Sequence, residues 1–374
     1  MFLALLELRA ARGRFLLMGS VVVLVAALVG IVSGFTTGLG DDTISALRRL
    51  PASQLVFSSD AKSDQFARSL LDEKTAAAWR ADADTDMTPL GVSITRGTTN
   101  RGAEVDLAAF GVDPGSFLAP SVTEGDGLTG ATANSLVMSA KLADEGVRVG
   151  DTLVIDRLGI ELRVVGQTER SSYGHVPVAY VPLSTWQRIR FSTPGTPASA
   201  NTAIPSQYSA LALRTPPSGI STAALDARHA TTTLTKEKAY EAAPGYTGER
   251  VTMNSIQVFL YLIAPLVVGA FFAVWTVQRQ PELALLRALG ASRRRLLGHT
   301  VFQAALVVVL GTAAGAVLAG AVGLLVGEQV PFSLPAATLA GTMFTVAAVG
   351  LAGTALTLRR VTQADPLTML GANR

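Results

Sequence analysis

Cysteine is absent from all 374 residues, which excludes disulfides and thiolate metal sites. Histidine is scarce as well. The three present, His175, His229 and His299, have no partner at metal-ligand spacing and belong to no local Ser/His/Asp motif. No GxxxxGKS/T loop occurs, so the chain does not cradle ATP phosphates by that route. No unit recurs along it, which excludes a solenoid. Charge is also sparse: acidic and basic residues make up 16% of the chain against 49% hydrophobic, at a mean hydropathy of +0.39. That balance is too apolar for an ordinary soluble globule of this length and points to a membrane protein.

Four stretches without Asp, Glu, Lys or Arg, residues 15–40, 251–278, 296–327 and 329–358, are long enough to span a bilayer, which takes roughly 20 apolar residues. Between the first two, residues 41–250 are soluble in character. Arginines set the orientation, because short cytoplasmic segments retain them. Arg9, Arg12 and Arg14 precede the first span, Arg279, Arg287, Arg293, Arg294 and Arg295 lie between the second and third, and Arg359, Arg360 and Arg374 follow the fourth. Only Glu328 separates the third from the fourth. Both termini are therefore expected in the cytoplasm and residues 41–250 outside. The first span is read as an uncleaved anchor, since its apolar part is too long for a signal peptide and ends in SGFTTGLG without an A-x-A site. The net charge of +3 combines a basic inner side with a mildly acidic outer domain and implies no nucleic acid.

The expected fold is thus four transmembrane α-helices with an α+β extracytoplasmic domain inserted between helices 1 and 2. Residues 1–14, with Leu5, Leu8 and Phe15 facing away from Arg9 and Arg12, pattern as an interfacial amphipathic helix. In the outer domain SDQFARSLLDEKTAAAW and ANSLVMSAKLADEG read as helices, the second stopped at Gly146. GDTLVIDRLGIELRVVGQT reads as two strands turning around residues 157–159, Gly150 and Asp151 as the turn before them, and PVAYVPLSTW as a strand running into a helix. The Pro- and Gly-rich STPGTPASANTAIPSQ and RTPPSG read as loops. In the third span Gly311 and Gly315 form a GxxxG face suited to close packing on another span.

Residues 279–295 form a short polar segment between two spans. Pro281 and Glu282 suit a helix start, Leu283, Leu286 and Leu289 recur at helical spacing, Gly290 is a stop, and Ser292 caps the next helix. One reading is an interfacial loop obeying the positive-inside rule; the other is a knob that plugs into a cytoplasmic partner.

PELALLRALGASRRRLLG resembles the cytoplasmic coupling segment of FtsX/MacB-type ABC permeases, and RRVTQADPLTMLGANR resembles their terminal tail. The four-span layout matches too. The resemblance implies a homodimer in the plasma membrane of a bacterium, surrounded by lipid, with two copies of a cytoplasmic ABC ATPase that bind the ATP and dock on Glu282, Leu283, Leu286, Arg287, Leu289 and Gly290. Gln278, Gln280 and Pro281 depart from the charged residues usual there. LELRAARGRFLL with VSGFTTGLGDDTISAL is similar, more particularly, to the haem-exporter and DevC-like subgroup. That similarity implies haem as substrate, with no permanently bound cofactor and no enzymatic activity in this chain. FtsX-like mechanotransmission to a cell-wall hydrolase, or export of lipid, lipoprotein or peptide, are the alternatives.

Gly30, Gly34 and Gly38 fall at i, i+4 and i+8 and make a smooth stripe on the first span. It is either a helix-packing face or a flat cleft where a macrocycle lies between protomers. Tyr246, Glu249 or Arg250, Met253 and Gln257 share one face at the outer end of the second span. Glu249 is a hard ligand suited to ferric iron, Met253 one turn on is the competing ligand, and Arg250 either snorkels to water or meets a propionate. Phe35 and Phe259 either stack on the porphyrin or anchor the interface.

Overall fold

The computed structural model describes residues 12–128, 134–194, 204–278, 293–326 and 330–363. The chain divides into two compact units, Gly40–Glu249 and the paired segments Met1–Leu39 with Arg250–Arg374.

Four helices, Arg12–Arg49, Tyr246–Gln278, Arg293–Val326 and Ala336–Gln363, each contain a window long and apolar enough to cross a membrane. In the second unit they pack by interleaving small and large side chains: Phe15, Met18 and Val22 of the first helix meet Val268, Phe272 and Trp275 of the second and Ala304, Val307 and Val308 of the third. Close approach is set by glycine. A Cβ at Gly311 would lie 2.8 Å from Val22 Cβ, and one at Gly315 would lie 2.5 Å from Ala26 Cβ and 2.8 Å from the Val23 carbonyl oxygen. The GxxxG face of the third helix is therefore seated on the first. Pro265 interrupts the amide ladder of the second helix, and Gly353 of the fourth lies against it, where a Cβ would come 2.9 Å from Pro265 Cβ.

Two helix boundaries differ from expectation. The first helix runs past residue 40 to Arg49, because Ile44, Ala46 and Leu47 are fully buried in the core of the outer unit. The fourth begins only at Ala336, since Pro331 and Pro335 disfavour helix in the residues before them.

Among its described residues the outer unit has thirteen strands: β1 (Gln54–Ser58), β2 (Leu71–Asp72), β3 (Met87–Thr99), β4 (Glu104–Val112), β5 (Glu124–Gly125), β6 (Ser135–Ser139), β7 (Thr152–Ile155), β8 (Ile160–Thr168), β9 (Ser172–Tyr173), β10 (Val176–Pro182), β11 (Gln207–Tyr208), β12 (Ala210–Leu213) and β13 (Thr231–Thr235). The long β3 pairs with β12 at its start, over Met87–Leu90, and with β7 at its end, over Gly97–Thr99. Because β7 also pairs with β8, the path β3-β4-β10-β6-β8-β7 closes on itself, while β13 and β5 end the sheet. Successive residues of β4 alternate between two cores: Leu107 and Ala109 face one side with Leu136, Leu162 and Trp186, whereas Ala108 and Phe110 face the other with Ile44, Leu47, Tyr173 and Tyr180. Trp186 fits a slot over the glycines of β3 and β4, where a Cβ at Gly91 would lie 2.2 Å from its ring.

Two expected helices are not continuous. SLVMS forms the buried strand β6, with helix only over Ala140–Asp144, because it lies between β10 and β8 with both faces covered. SDQFARSLLDEKTAAAW splits into Gln65–Arg68, β2 and Glu73–Asp82, with Asp72 accepting from the Thr75 amide as N-cap. The turn over residues 157–159 and the strand-to-helix passage at Pro182 are as expected, with Arg157 and Gly159 both at positive φ.

Candidate functional site

Strands β9 and β10 form a hairpin whose two loop residues, Gly174 and His175, have φ of 60° and 67°. Two positive φ values in succession match the right-handed twist of a hairpin. Glycine adopts them freely, but histidine at the second position does so at a cost. The hairpin is stitched to the outer end of the first helix: the Gly174 amide donates to the Thr43 carbonyl at 2.9 Å, and the Ser172 amide donates to Ser45 Oγ at 2.8 Å.

These contacts carry the His175 ring between two carboxylates from different helices. Nε2 lies 2.6 Å from Glu249 Oε1, in the first turn of the second long helix, and Nδ1 lies 3.3 Å from Asp42 Oδ2 on the first. The buried Thr43 hydroxyl donates to the other Glu249 oxygen at 3.0 Å. Behind Asp42, Lys141 forms an ion pair with it and donates to Ser172 Oγ at 2.9 Å. A carboxylate on each ring nitrogen requires each nitrogen to donate, which is the imidazolium form. Burial alone works against that charge, but hydrogen bonds and attraction from Glu249, then from Asp42, outweigh it and raise the His175 pKa above its ordinary value.

Nothing local in the sequence pointed to this cluster: Asp42, Lys141, His175 and Glu249 are far apart along the chain, and His175 showed no metal-ligand spacing. The one visible signal was Gly174, a turn residue placed just before the apolar run that begins at Val176. Among the described residues no set of His, Asp and Glu has the arrangement of a resident metal site.

The remaining candidates are dispersed. Along the second helix Met253 is half-buried, Arg250 exposed, and Gln257 donates to the Tyr261 hydroxyl at 3.0 Å. Phe259 is 64% exposed. The glycine stripe is occupied from within the chain. A Cβ at Gly30 would lie 2.8 Å from Ala319 Cβ, one at Gly34 2.3 Å from the Phe332 ring, and one at Gly38 2.2 Å from the Pro331 carbonyl oxygen. Phe35 packs edge-on against Phe332 at 5.3 Å. The stripe is thus a packing face for the third and fourth helices and the residues between them. This corrects the alternative of a flat cleft where a macrocycle lies between protomers, since a side chain or backbone of the chain itself already fills each position. The residues expected to couple to an ATPase, Glu282, Leu283, Leu286, Arg287, Leu289 and Gly290, lie outside the described residues, as do most of residues 1–14 and the tail beyond 363.

Residues 254–366 match the model of the FtsX-like permease C-terminal family. The chain carries an FtsX-like permease domain. It is a membrane permease of the ABC type, and it is similar over its whole length to putative hemin transport system permease proteins HrtB. The identity is 22% to that of Staphylococcus haemolyticus, over 99% of each chain, and 23% to that of Staphylococcus epidermidis, over 100% of each. Among solved structures, the periplasmic region of MacB from Actinobacillus actinomycetemcomitans aligns with 52% of this permease and 92% of that chain, at 13% identity and a TM-score of 0.36. The extracellular domain of the noncanonic ABC-type transporter YknZ from Gram-positive bacteria aligns with 49% and 98%, at 14% identity and a TM-score of 0.33.

Proposed function

We propose that this permease exports haem from the membrane to the outside, as a homodimer driven by ATP hydrolysed in a separate cytoplasmic subunit. Similarity along the full chain to permeases named for hemin transport carries the reading. Support comes from the second helix, which opens with a half-exposed carboxylate, Glu249, followed by Arg250 and Met253. Ferric iron is a hard cation for which carboxylate oxygen is a suitable ligand, and an exported cargo needs a ligand it can leave. A guanidinium next to that carboxylate suits a propionate, and the exposed ring of Phe259, nearly three turns further along the helix, suits a porphyrin face. Cargo is placed along these turns of the second helix and not on the glycine stripe.

The basic termini and the arginines of residues 279–295 support a cytoplasmic placement of that side, so that the ATPase meets Glu282, Leu283, Leu286, Arg287, Leu289 and Gly290. The test is to co-purify permease and ATPase in lipid nanodiscs and titrate hemin by absorption spectroscopy. A saturable Soret shift that Glu249→Ala removes is expected. An unchanged spectrum in Glu249→Ala and in Met253→Ala alike would reject haem in favour of a lipid or peptide cargo.

A further inference from the structure

We propose that His175 is a positioning residue for Glu249: the hairpin turn that carries it holds the cargo-facing carboxylate in one orientation, braced by Asp42. The inference rests on the reading of Glu249 just given. An ordinary surface ion pair would leave one carboxylate oxygen free to rotate into water. Here both are taken by donors from different elements, Oε1 by His175 at 2.6 Å and Oε2 by Thr43 at 3.0 Å. A carboxylate offers about four lone-pair directions, so those left for a cargo iron point in set directions relative to the helix.

The ring is itself constrained from behind. Asp42 takes Nδ1, Lys141 takes Asp42, and Ser172 takes Lys141, so the chain of contacts returns to the same hairpin. Ligating groups held in this way by outer partners keep their orientation without reorganising when the ligand arrives. A second, independent observation is the backbone. His175 has φ 67° at a turn position where glycine or asparagine relieves strain. A side-chained residue in such a conformation persists where its surroundings over-determine it, and such residues cluster at functional sites. A turn needing only to reverse the strand would be better served by Gly-Asn or Gly-Gly. The groups facing the ring are Asp42, Thr43 and Glu249, with Lys141 one contact further, and the two cations balance the two carboxylates.

The test uses the full chain with its ATPase in lipid nanodiscs and hemin as the probe, read by Soret position, by the electron paramagnetic resonance of the ferric centre and by affinity. His175→Asn keeps the left-handed turn comfortable, so the protein folds, but its amide is too short to reach Glu249. It is expected to weaken hemin binding by about 10- to 100-fold and to broaden the ferric signal as the carboxylate samples several orientations. His175→Gln restores the reach and is expected to recover most of the affinity and the sharp signal. Asp42→Asn, which loosens the ring without touching Glu249, is expected to fall between them. If His175→Asn binds hemin with wild-type affinity and spectrum while Glu249→Gln loses it, the positioning role is overturned and the haem reading stands. If Glu249→Gln itself binds hemin as the wild type does, Glu249 is not the ligand of the cargo iron, and the positioning role falls with that assignment.

Discussion

At the scale of the residue, one imidazole joins elements that the chain brings together from far apart. The left-handed backbone at His175 costs on the order of 1–3 kcal/mol, which the paired carboxylates offset. Its pKa is raised in the folded chain, so the contribution from its protonation is complete below the unfolded value of about 6.5. It is lost as pH rises through the higher folded value. The difference in thermal midpoint between wild type and His175→Asn, followed from pH 5.5 to 8.5, should therefore be largest at the acid end and shrink above neutrality. A difference independent of pH would show that the ring is not charged in the folded chain. Trp186 offers a contrast with no functional claim: it is fully buried over Gly91 and Gly111. Trp186→Ala should cost about 3–5 kcal/mol, seen as a fall in the denaturant midpoint.

At the scale of the element, small residues decide which helices touch. Gly315→Leu is expected to push the first and third helices apart, since even a Cβ there would lie 2.5 Å from Ala26 Cβ. The overpacking cost is about 1–3 kcal/mol and should lower the melting temperature in nanodiscs. Gly320, on the same helix with nothing within 4 Å of a built Cβ, is the control: Gly320→Leu should leave the midpoint almost unchanged. Equal effects at both positions would mean that helix propensity, and not packing, is being measured. Gly34→Leu should be as harmful as Gly315→Leu because Phe332 already occupies that notch. That outcome would separate the intramolecular role of the stripe from any role in dimer formation.

At the scale of the whole molecule, the absence of cysteine gives a clean background for cross-linking. Single cysteines at Val258 and Phe259, both exposed on the second helix, should cross-link between protomers if the proposed homodimer closes there. Absence of any cross-linked species across the outer half of this helix would move the interface elsewhere. Leu286→Asp places a charge in the proposed ATPase-docking segment and should abolish co-purification of the ATPase while the permease stays in the membrane. Retained complex with normal ATP hydrolysis would remove this segment from the docking surface.

Hydropathy and charge placement by themselves determined that this chain crosses the membrane in four helices and carries an α+β insertion after the first. Both signals are local: a run of apolar residues and its flanking arginines read the same whatever they pack against. Glu249 stood out for a similarly local reason, as an ionisable group beside the start of a span. Only the tertiary structure decided its partner, because His175 reaches it through a hairpin turn and Asp42 through a helix end, and no short-range pattern encodes three such positions meeting. The same holds for the glycine stripe. Its spacing announced a close contact, but whether a cargo, a second copy or the chain's own Phe332 fills the space depends on where the third and fourth helices return. The strand SLVMS was misread as helix on the same grounds: an apolar run has no visible period when both its faces are buried, and β6 is buried only because β8 and β10 fold against it.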